Sequence, residues 1–437
     1  MAQGYLKAKE DEDLEMIDET YFKNLAARSL LQIFSYRKDC YVLHDMVSDL
    51  AQTFTKNECL NIEVLKDTEL NGNSLHADAN VRHLALTIEN DASFPVSVYG
   101  LIKLRSLIIQ FIRYESSRIF VELKDIFDHL TCLRTLDLSS CDIKEIPSSI
   151  KKLIHLRWLD LSRNANLEKL PETLCECYNL QTLILENCDN LVELPQGIRK
   201  LINLMYLDFD NCENIVYLPK GIGNLWHLRR LTCLIISVNK GESFSIVEME
   251  KLNNLRGRLE IRGLGNLPKA LESPSDMEKL YIDEEETVDE DSRMKDEEEV
   301  LEALEPPLDL EILSIENYKG KTLFPSWMIK LNLPKELMIE SCENCEELPP
   351  LGKLSCLEEL VLREMSVKRV GVEFMGIEKE KDSSTSFLSF PKLKKLSFQW
   401  FDEWEEWDDI DEWLMERINN KTITIMSSLQ QLDIYYC

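Results

Sequence analysis

Long apolar runs are missing from this 437-residue chain. No stretch approaches the roughly 18 residues that cross a bilayer, so no membrane span is expected. The opening MAQGYLKAKEDEDLEM has no apolar core of the kind a secretory signal needs. Glycine and proline number only 14 each, which excludes collagen-like or linker-like material. Positive charge is in deficit, with 50 basic residues against 79 acidic ones and a formal net charge of −29. A chain that acidic repels phosphates, so nucleic acid is not an expected partner. Cysteines number 13, an odd count without a signal sequence, and read as reduced cytosolic thiols. The lone sequon Asn420-Lys421-Thr422 is then a chance match.

Catalytic and metal motifs are equally scarce. No G-x-x-x-x-G-K-[ST] occurs, because Gly320-Lys321-Thr322 has Ile315 where the upstream glycine belongs. Without amides to cradle phosphates, this chain is not expected to hydrolyse ATP or to hold a cofactor. Cys342-x-x-Cys345 has no second pair or histidine pair at zinc spacing, so structural thiols are expected and no metal site. Six scattered histidines form no nucleophilic triad, so no catalytic residue is assigned and no enzyme is expected. What is abundant is apolar residue, 44% of the chain, enough for a large core.

Those residues repeat. Segments 133–143 (LRTLDLSSCDI), 156–167 (LRWLDLSRNANL), 180–191 (LQTLILENCDNL) and 204–215 (LMYLDFDNCENI) share the pattern L-x-x-L-x-L-x-x-[N/C]. Pro147, Pro171, Pro195 and Pro219 punctuate them at intervals of 24 residues. This is a leucine-rich repeat. Alternation in x-L-x-L is that of a strand with its leucines facing in. The Asn or Cys three residues later (Cys141, Asn164, Cys188, Cys212) is expected to point inward and satisfy the backbone of the bend. Proline pre-sets φ where the return segment begins. The expected fold is an α/β solenoid: a leucine-rich-repeat horseshoe with a parallel concave sheet.

Weaker copies appear at Leu84/Leu86, Leu107/Ile109, Leu259/Ile261, Leu280/Ile282, Leu313/Ile315, Leu337/Ile339, Leu360/Leu362, Leu396/Phe398 and Leu432/Ile434. Repeats therefore run over 81–437, with the regular ones at 133–232. Two acidic insertions interrupt them. Residues 281–306 carry 13 acids and 2 bases, too dense to pack, with Val300, Leu301 and Leu304 returning as a short docking helix before Pro306. Residues 401–416 carry nine acids, no base, and Trp404, Trp407 and Trp413, which pack or meet a partner. Before the repeats, residues 1–55 read as helix, short hairpin and helix, a partial winged-helix segment, and 56–80 as a linker.

Taken together, YVLHDMVSDLA (41–51), RHLAL (82–86) and the repeats resemble the coiled-coil class of plant nucleotide-binding leucine-rich-repeat resistance proteins. LFPSWM (323–328), CENCEELPPLGKLSCLEEL (342–360), VKRVGVEFMG (367–376) and FPKLKKLSFQWFDEWEEWD (390–408) are similar to its potato blight-resistance-like branch. The resemblance implies an immune receptor of the cytoplasm, or also of the nucleus. Its repeats would bind a pathogen effector or a guarded host protein and contact the nucleotide-binding module to keep it off. ADP or ATP would be bound only in a full-length receptor, where Leu43-His44-Asp45 matches the Met-His-Asp motif. His44 would then contact the β-phosphate, with Asp45 supporting it. The alternative is a generic cytosolic scaffold or inhibitor with a basic protein partner. On either reading the expected protein-binding residues face outward beside the strand leucines: Arg134, Arg157, Trp158, Asp160, Met205, Tyr206, Asp208, Arg229 and Arg230.

Overall fold

The computed structural model describes residues 14–33, 41–55, 58–65, 80–89, 92–111, 123–236, 243–263, 290–307, 309–331, 334–342, 344–345, 347–377, 387–407 and 423–437. The chain divides into two compact units, Met1–Asn190 and Leu191–Cys437.

The first unit begins with α1 (Leu14–Ala27), an antiparallel pair of strands Leu31–Ile33 and Tyr41–Leu43, and α2 (Asp45–Thr55). Leu31 lies opposite Leu43 and Ile33 opposite Tyr41. This is the helix, hairpin and helix that the sequence pattern implies. Six parallel strands follow, Cys59–Val64, His83–Ile88, Ser106–Phe111, Thr135–Asp137, Trp158–Asp160 and Thr182–Ile184, each paired with the next. The first of them corrects the reading of 56–80 as linker. Its Leu60 and Ile62 stand in register with Leu84 and Leu86. Inward leucines align across the sheet as Leu84, Leu107, Leu136, Leu159 and Leu183, none more than 2% exposed.

Strands Thr135–Asp137, Trp158–Asp160 and Thr182–Ile184 end in the same device. The residue before the inward Asn or Cys adopts a left-handed conformation, with φ of 56° at Ser140, 59° at Arg163 and 58° at Asn187. That single reversal swings the next side chain under the turn. Asn164, fully buried, accepts from the amides of Cys141 (3.1 Å) and Ile143 (2.9 Å) and donates to the carbonyls of Leu138 (3.0 Å) and Leu161 (2.7 Å). Cys188 Sγ donates to the Leu161 carbonyl at 3.2 Å. Buried backbone groups of the bend are thereby satisfied, as the inward polar position requires. Prolines do the work expected of them: Pro147 and Pro171, at φ −66° and −71°, open 3-10 helices Ser148–Lys152 and Glu172–Glu176 on the return side. α3 (Leu123–His129) takes the place of one such helix and buries Leu123, Ile126 and Phe127.

The second unit contains the short parallel pair Tyr206–Asp208 and Arg230–Leu231. It also carries a seven-stranded parallel sheet of Cys233–Ile235, Gly257–Arg262, Leu310–Glu316, Glu336–Cys342, Glu359–Met365, Lys395–Gln399 and Gln431–Tyr435. Gly257–Arg262 pairs directly with Leu310–Glu316, so no strand at Leu280/Ile282 lies between them; those two residues fall outside the described ones. At the other end, Leu432 and Ile434 occupy inward positions yet remain 48% and 49% exposed, because Gln431–Tyr435 pairs on one side alone among the described strands. Gly221, at φ +93°, lets the chain turn so that the buried carboxylate of Glu248 accepts from its amide and from that of Gly223, the latter at 2.9 Å.

The acidic insertion packs where its density argues against packing. Residues 281–289 are outside the described ones, but α4 (Glu290–Ala303) is an ordered helix. As expected, Val300, Leu301 and Leu304 are buried, and Trp327 Nε1 donates to the Leu301 carbonyl at 2.7 Å. The correction concerns the acids. Glu297 accepts from the amide of Lys319 (2.7 Å), Glu298 from the amide of Thr322 (3.0 Å) and Glu302 from that of Ser326 (2.7 Å). Three carboxylates thus cap the backbone of the following repeat. In the second insertion, Trp404 and Trp407 pack on Phe398 at 5.1 and 5.5 Å, while Trp413 lies outside the described residues.

Candidate functional site

Outward positions of a parallel sheet form rows, and two such rows, one in each unit, carry chemistry. In the first unit Thr135, Trp158 and Thr182 stand in register, with Asp137, Asp160 and Ile184 beside them. Arg134, Arg157 and Trp158 are half-buried. Asp160 is less available than its position implies. Its Oδ1 accepts from the amide of Ser162 at 2.9 Å, as Asp137 does from Ser139 at 3.0 Å. These aspartates hold the turn that leaves the strand. Burial pushes the Asp160 carboxyl above its usual value, and nearby Asp137 and Glu186 act in the same direction against the Ser162 hydrogen bonds.

In the second unit, Asp208 likewise accepts from Asp210, at 3.1 Å. Met205 and Arg229 are half-buried, and the Arg230 guanidinium sits 5.6 Å from the ring centroid of Tyr206. Such a contact fixes two long side chains in one orientation. Sequence reasoning stopped at Thr232 and missed what continues. Arg258 reaches Asp210 at 3.4 Å and Glu260 at 3.2 Å, and Arg262 bonds Glu260 and lies 3.2 Å from Glu316. Further along, Arg363 pairs with Glu340 at 3.1 Å and covers the ring of Trp400, 5.3 Å from its centroid. Trp400 in turn stacks on Tyr436, with an interplanar angle of 6°. Glu316 is pushed up to about 7, first by burial and then by Glu260 beside it, against the pull of Arg262. The signal for this row was the x position of x-L-x-L in the irregular repeats. Their unequal spacing hid it.

His44 and Asp45 lie at the start of α2. The His44 carbonyl accepts from the amides of Val47 and Ser48, at 2.8 and 2.9 Å, and its Nδ1 accepts from Met46, at 3.3 Å. His44 is therefore the cap of α2, and exposed Asp45 begins its first turn, where negative charge is favoured. Cys342 and Cys345 are fully buried and hydrogen-bonded to one another, with Cys345 Sγ 3.5 Å from the Gly320 carbonyl. Among the described residues no His, Cys, Asp or Glu cluster has metal-binding geometry, and no helix is long and apolar enough to cross a membrane.

The family model for a leucine-rich repeat region matches residues 130–407, and that for a disease resistance protein winged helix domain matches 1–51. The chain belongs to the plant disease resistance proteins. RGA1 of Solanum bulbocastanum, named for disease resistance, is 36% identical over 408 residues, covering 91% of this chain and 36% of that protein. RPP13-like protein 1 of Arabidopsis thaliana, named likewise, is 33% identical over 462 residues, covering 100% of this chain and 41% of that protein. This member of the family thus spans well under half the length of these relatives. Among solved structures, a leucine-rich-repeat protein of Leptospira interrogans is similar at 20% identity and TM-score 0.41, over 79% of this chain and 90% of that one.

Proposed function

We propose that this resistance-protein chain is the recognition and control part of an intracellular immune receptor. Its outward sheet positions bind a pathogen effector or a guarded host protein, and it carries no catalysis of its own. One observation supports this reading most: the outward rows carry half-buried Trp158 in the first unit and the Arg230–Tyr206 stack in the second. Trp, Tyr and Arg are the residue types that dominate interface energies, at about 2 kcal/mol or more each when central. In a receptor that also carries the nucleotide-binding module, the exposed Met46, Leu50 and Phe54 of α2 offer an apolar contact surface for it. His44 and Asp45 then stabilise the ADP-bound resting state, and the site of action is the cytoplasm, with the nucleus as an alternative.

The test is made in a full-length receptor assayed for its cell-death response to a matched effector. Trp158→Ala and Arg230→Ala abolish the response and leave the fold intact by circular dichroism. Asp45→Val signals without effector, because it removes about 1–3 kcal/mol of differential stabilisation from the resting state. If both alanine variants respond normally and only return-side substitutions matter, the outward face is the wrong surface.

A further inference from the structure

Two outward rows of the second unit break the order in which a sheet arranges charge. Opposite charges facing one another across strands stabilise a sheet, and like charges destabilise it. Glu311, Lys335, Glu358 and Lys394, which follow one another from turn to turn, obey this order. Lys335 lies 3.6 Å from Glu311 and Lys394 2.5 Å from Glu358. Further along the same strands the order fails. Glu316 stands opposite Glu340, and Glu336 opposite Glu359. The cations lie at the flanks: Arg262 is 3.2 Å from Glu316, Arg363 is 3.1 Å from Glu340, and Lys395 bonds Glu359.

The four glutamates surround one residue. Half-buried Met338 has Glu336 and Glu340 two residues away on its own strand, and Glu316 and Glu359 diagonally across on the neighbouring ones. By strand alternation all five face away from the buried Leu337 and Ile339. With strands about 4.8 Å apart and a two-residue step of about 6.6 Å, the carboxylates are within reach of one ammonium above Met338. A second observation does not depend on charge. Met338 has Ser314 beside it on one strand and Val361 on the other. Ser314 is 2% exposed, yet its Oγ has no hydrogen-bond partner. A buried hydroxyl without a partner is rare in folded proteins. A lysine side chain answers all of these features. Its compact ammonium offers three donors to carboxylates and a hydroxyl, and its aliphatic stem suits Met338 and Val361. We infer that this cluster holds a lysine of the protein partner, its ammonium among Glu316, Glu336 and Glu340 and its stem on Met338. This takes the outward face as the protein-binding surface proposed above and names one contact on it.

The probe is n-butylammonium, a lysine side chain without its backbone. It is titrated at constant ionic strength into the full chain carrying methyl-labelled methionine, and the Met338 methyl is followed by NMR. That methyl shifts saturably in the millimolar range, while tetramethylammonium, which donates no hydrogen bond, leaves it in place. Glu336→Gln, at an exposed position, raises the midpoint by about tenfold. Ser314→Ala, which leaves no polar group unpaired, raises it by about threefold. Trp158→Ala in the first unit leaves the titration unchanged whatever it does to a receptor's response, so failure of the receptor reading and failure of this site are told apart. In a full-length receptor, Glu336→Lys fills the cluster from within and abolishes the response to a matched effector, with the fold retained by circular dichroism. The site is refuted if the Met338 methyl does not move, if tetramethylammonium moves it as far, or if the Glu336→Lys receptor responds as wild type does.

Discussion

Asn164 offers the most direct test of how the repeats hold together. Its amide is fully buried and makes four good hydrogen bonds with backbone, two accepted from Cys141 and Ile143 and two donated to Leu138 and Leu161. Asn164→Ala strands two buried N–H groups and leaves two carbonyls short of a donor. An orphaned buried group costs about 1–3 kcal/mol, and carbonyls tolerate the loss better than amides, so the total falls at about 3–5 kcal/mol. Asn164→Cys costs less, about 2 kcal/mol, because a thiol keeps a donor where Cys188 Sγ already uses the Leu161 carbonyl. Asn164→Asp is the worst of the three at neutral pH. It keeps the shape but loses both donors and sets a carboxylate against two carbonyls. Urea titrations of the four proteins, read by circular dichroism, give the order wild type, Cys, Ala, Asp in falling midpoint. Amide exchange sharpens the test: the Cys141 and Ile143 amides lose protection in the alanine variant before amides of distant turns do. If Asn164→Ala lies within about 0.5 kcal/mol of wild type, the inward position is mere filler and the reasoning is wrong.

Other consequences are as concrete. Arg163 holds φ 59° without being glycine or asparagine, so Arg163→Asn raises stability by up to about 1 kcal/mol in the same titrations; a loss would show that its side chain matters more than its backbone. Glu316, held near 7 in the fold against an ordinary 4.5, is destabilising once ionised: that penalty is absent below about pH 4.5, grows through the window and is complete above about pH 7. The stability of Glu316→Gln relative to wild type therefore rises from pH 4.5 to 7.5, and a flat difference refutes the assignment. The neighbouring Cys345 thiol and then burial push the Cys342 thiol well above its usual value, and both side chains are fully buried, so native-state alkylation followed by mass spectrometry labels exposed Cys59, Cys132 and Cys437 but neither of these two.

How much of this was legible in the sequence follows from where the repeat's grammar is carried by side chains. Between 133 and 232 the inward leucines, the Asn or Cys beneath the turn and the proline all recur at fixed spacing. Strands, turns and return helices could be placed residue by residue. Cys59–Val64 escaped because it has the alternation of Leu60, Ile62 and Val64 but neither punctuation mark. Apolar Val300, Leu301 and Leu304 announced their docking, whereas Glu297, Glu298 and Glu302 looked like solvated charge. Their partners are backbone amides at Lys319, Thr322 and Ser326, one repeat further on, and a backbone amide has no signature in the sequence. Asp160 and Asp208 were read as outward-facing, and both are half-buried. Their bonds to the amides two residues later went unread, because a short acidic side chain at a strand end serves a turn and a partner equally well.

Beyond Thr232 the grammar passes from side chain to backbone. Counting three residues past the second inward strand residue reaches Tyr318, Met365 and Phe401, where the earlier repeats have Asn or Cys, and all three are buried. The preceding residues, Asn317, Glu364 and Trp400, keep the same left-handed turn, with φ of 56°, 52° and 54°. Tyr318 even preserves part of the polar function, its hydroxyl donating to the Thr322 carbonyl at 2.6 Å. The reversal is therefore common to these turns and to those after Leu138, Leu161 and Leu185, and the inward Asn is one of several ways to fill the space it opens. Step length does not follow the size of that side chain: Leu313 to Leu337, with Tyr318, is 24 residues, whereas Leu360 to Leu396 and Leu396 to Leu432 are 36 each. Those longer steps leave room for the extra strand pairs Arg369–Val370 with Glu406–Trp407 and Phe387–Ser389 with Ile423–Ile425. They also put Trp400 itself at the left-handed position, where its ring leaves the core, stacks on Tyr436 and lies under Arg363. An aromatic residue pays a steric cost for that conformation, and what it gains is a ring held rigidly on the outward face. The same change that hid the second unit's repeats from a pattern search thus set an exposed aromatic stack on its sheet.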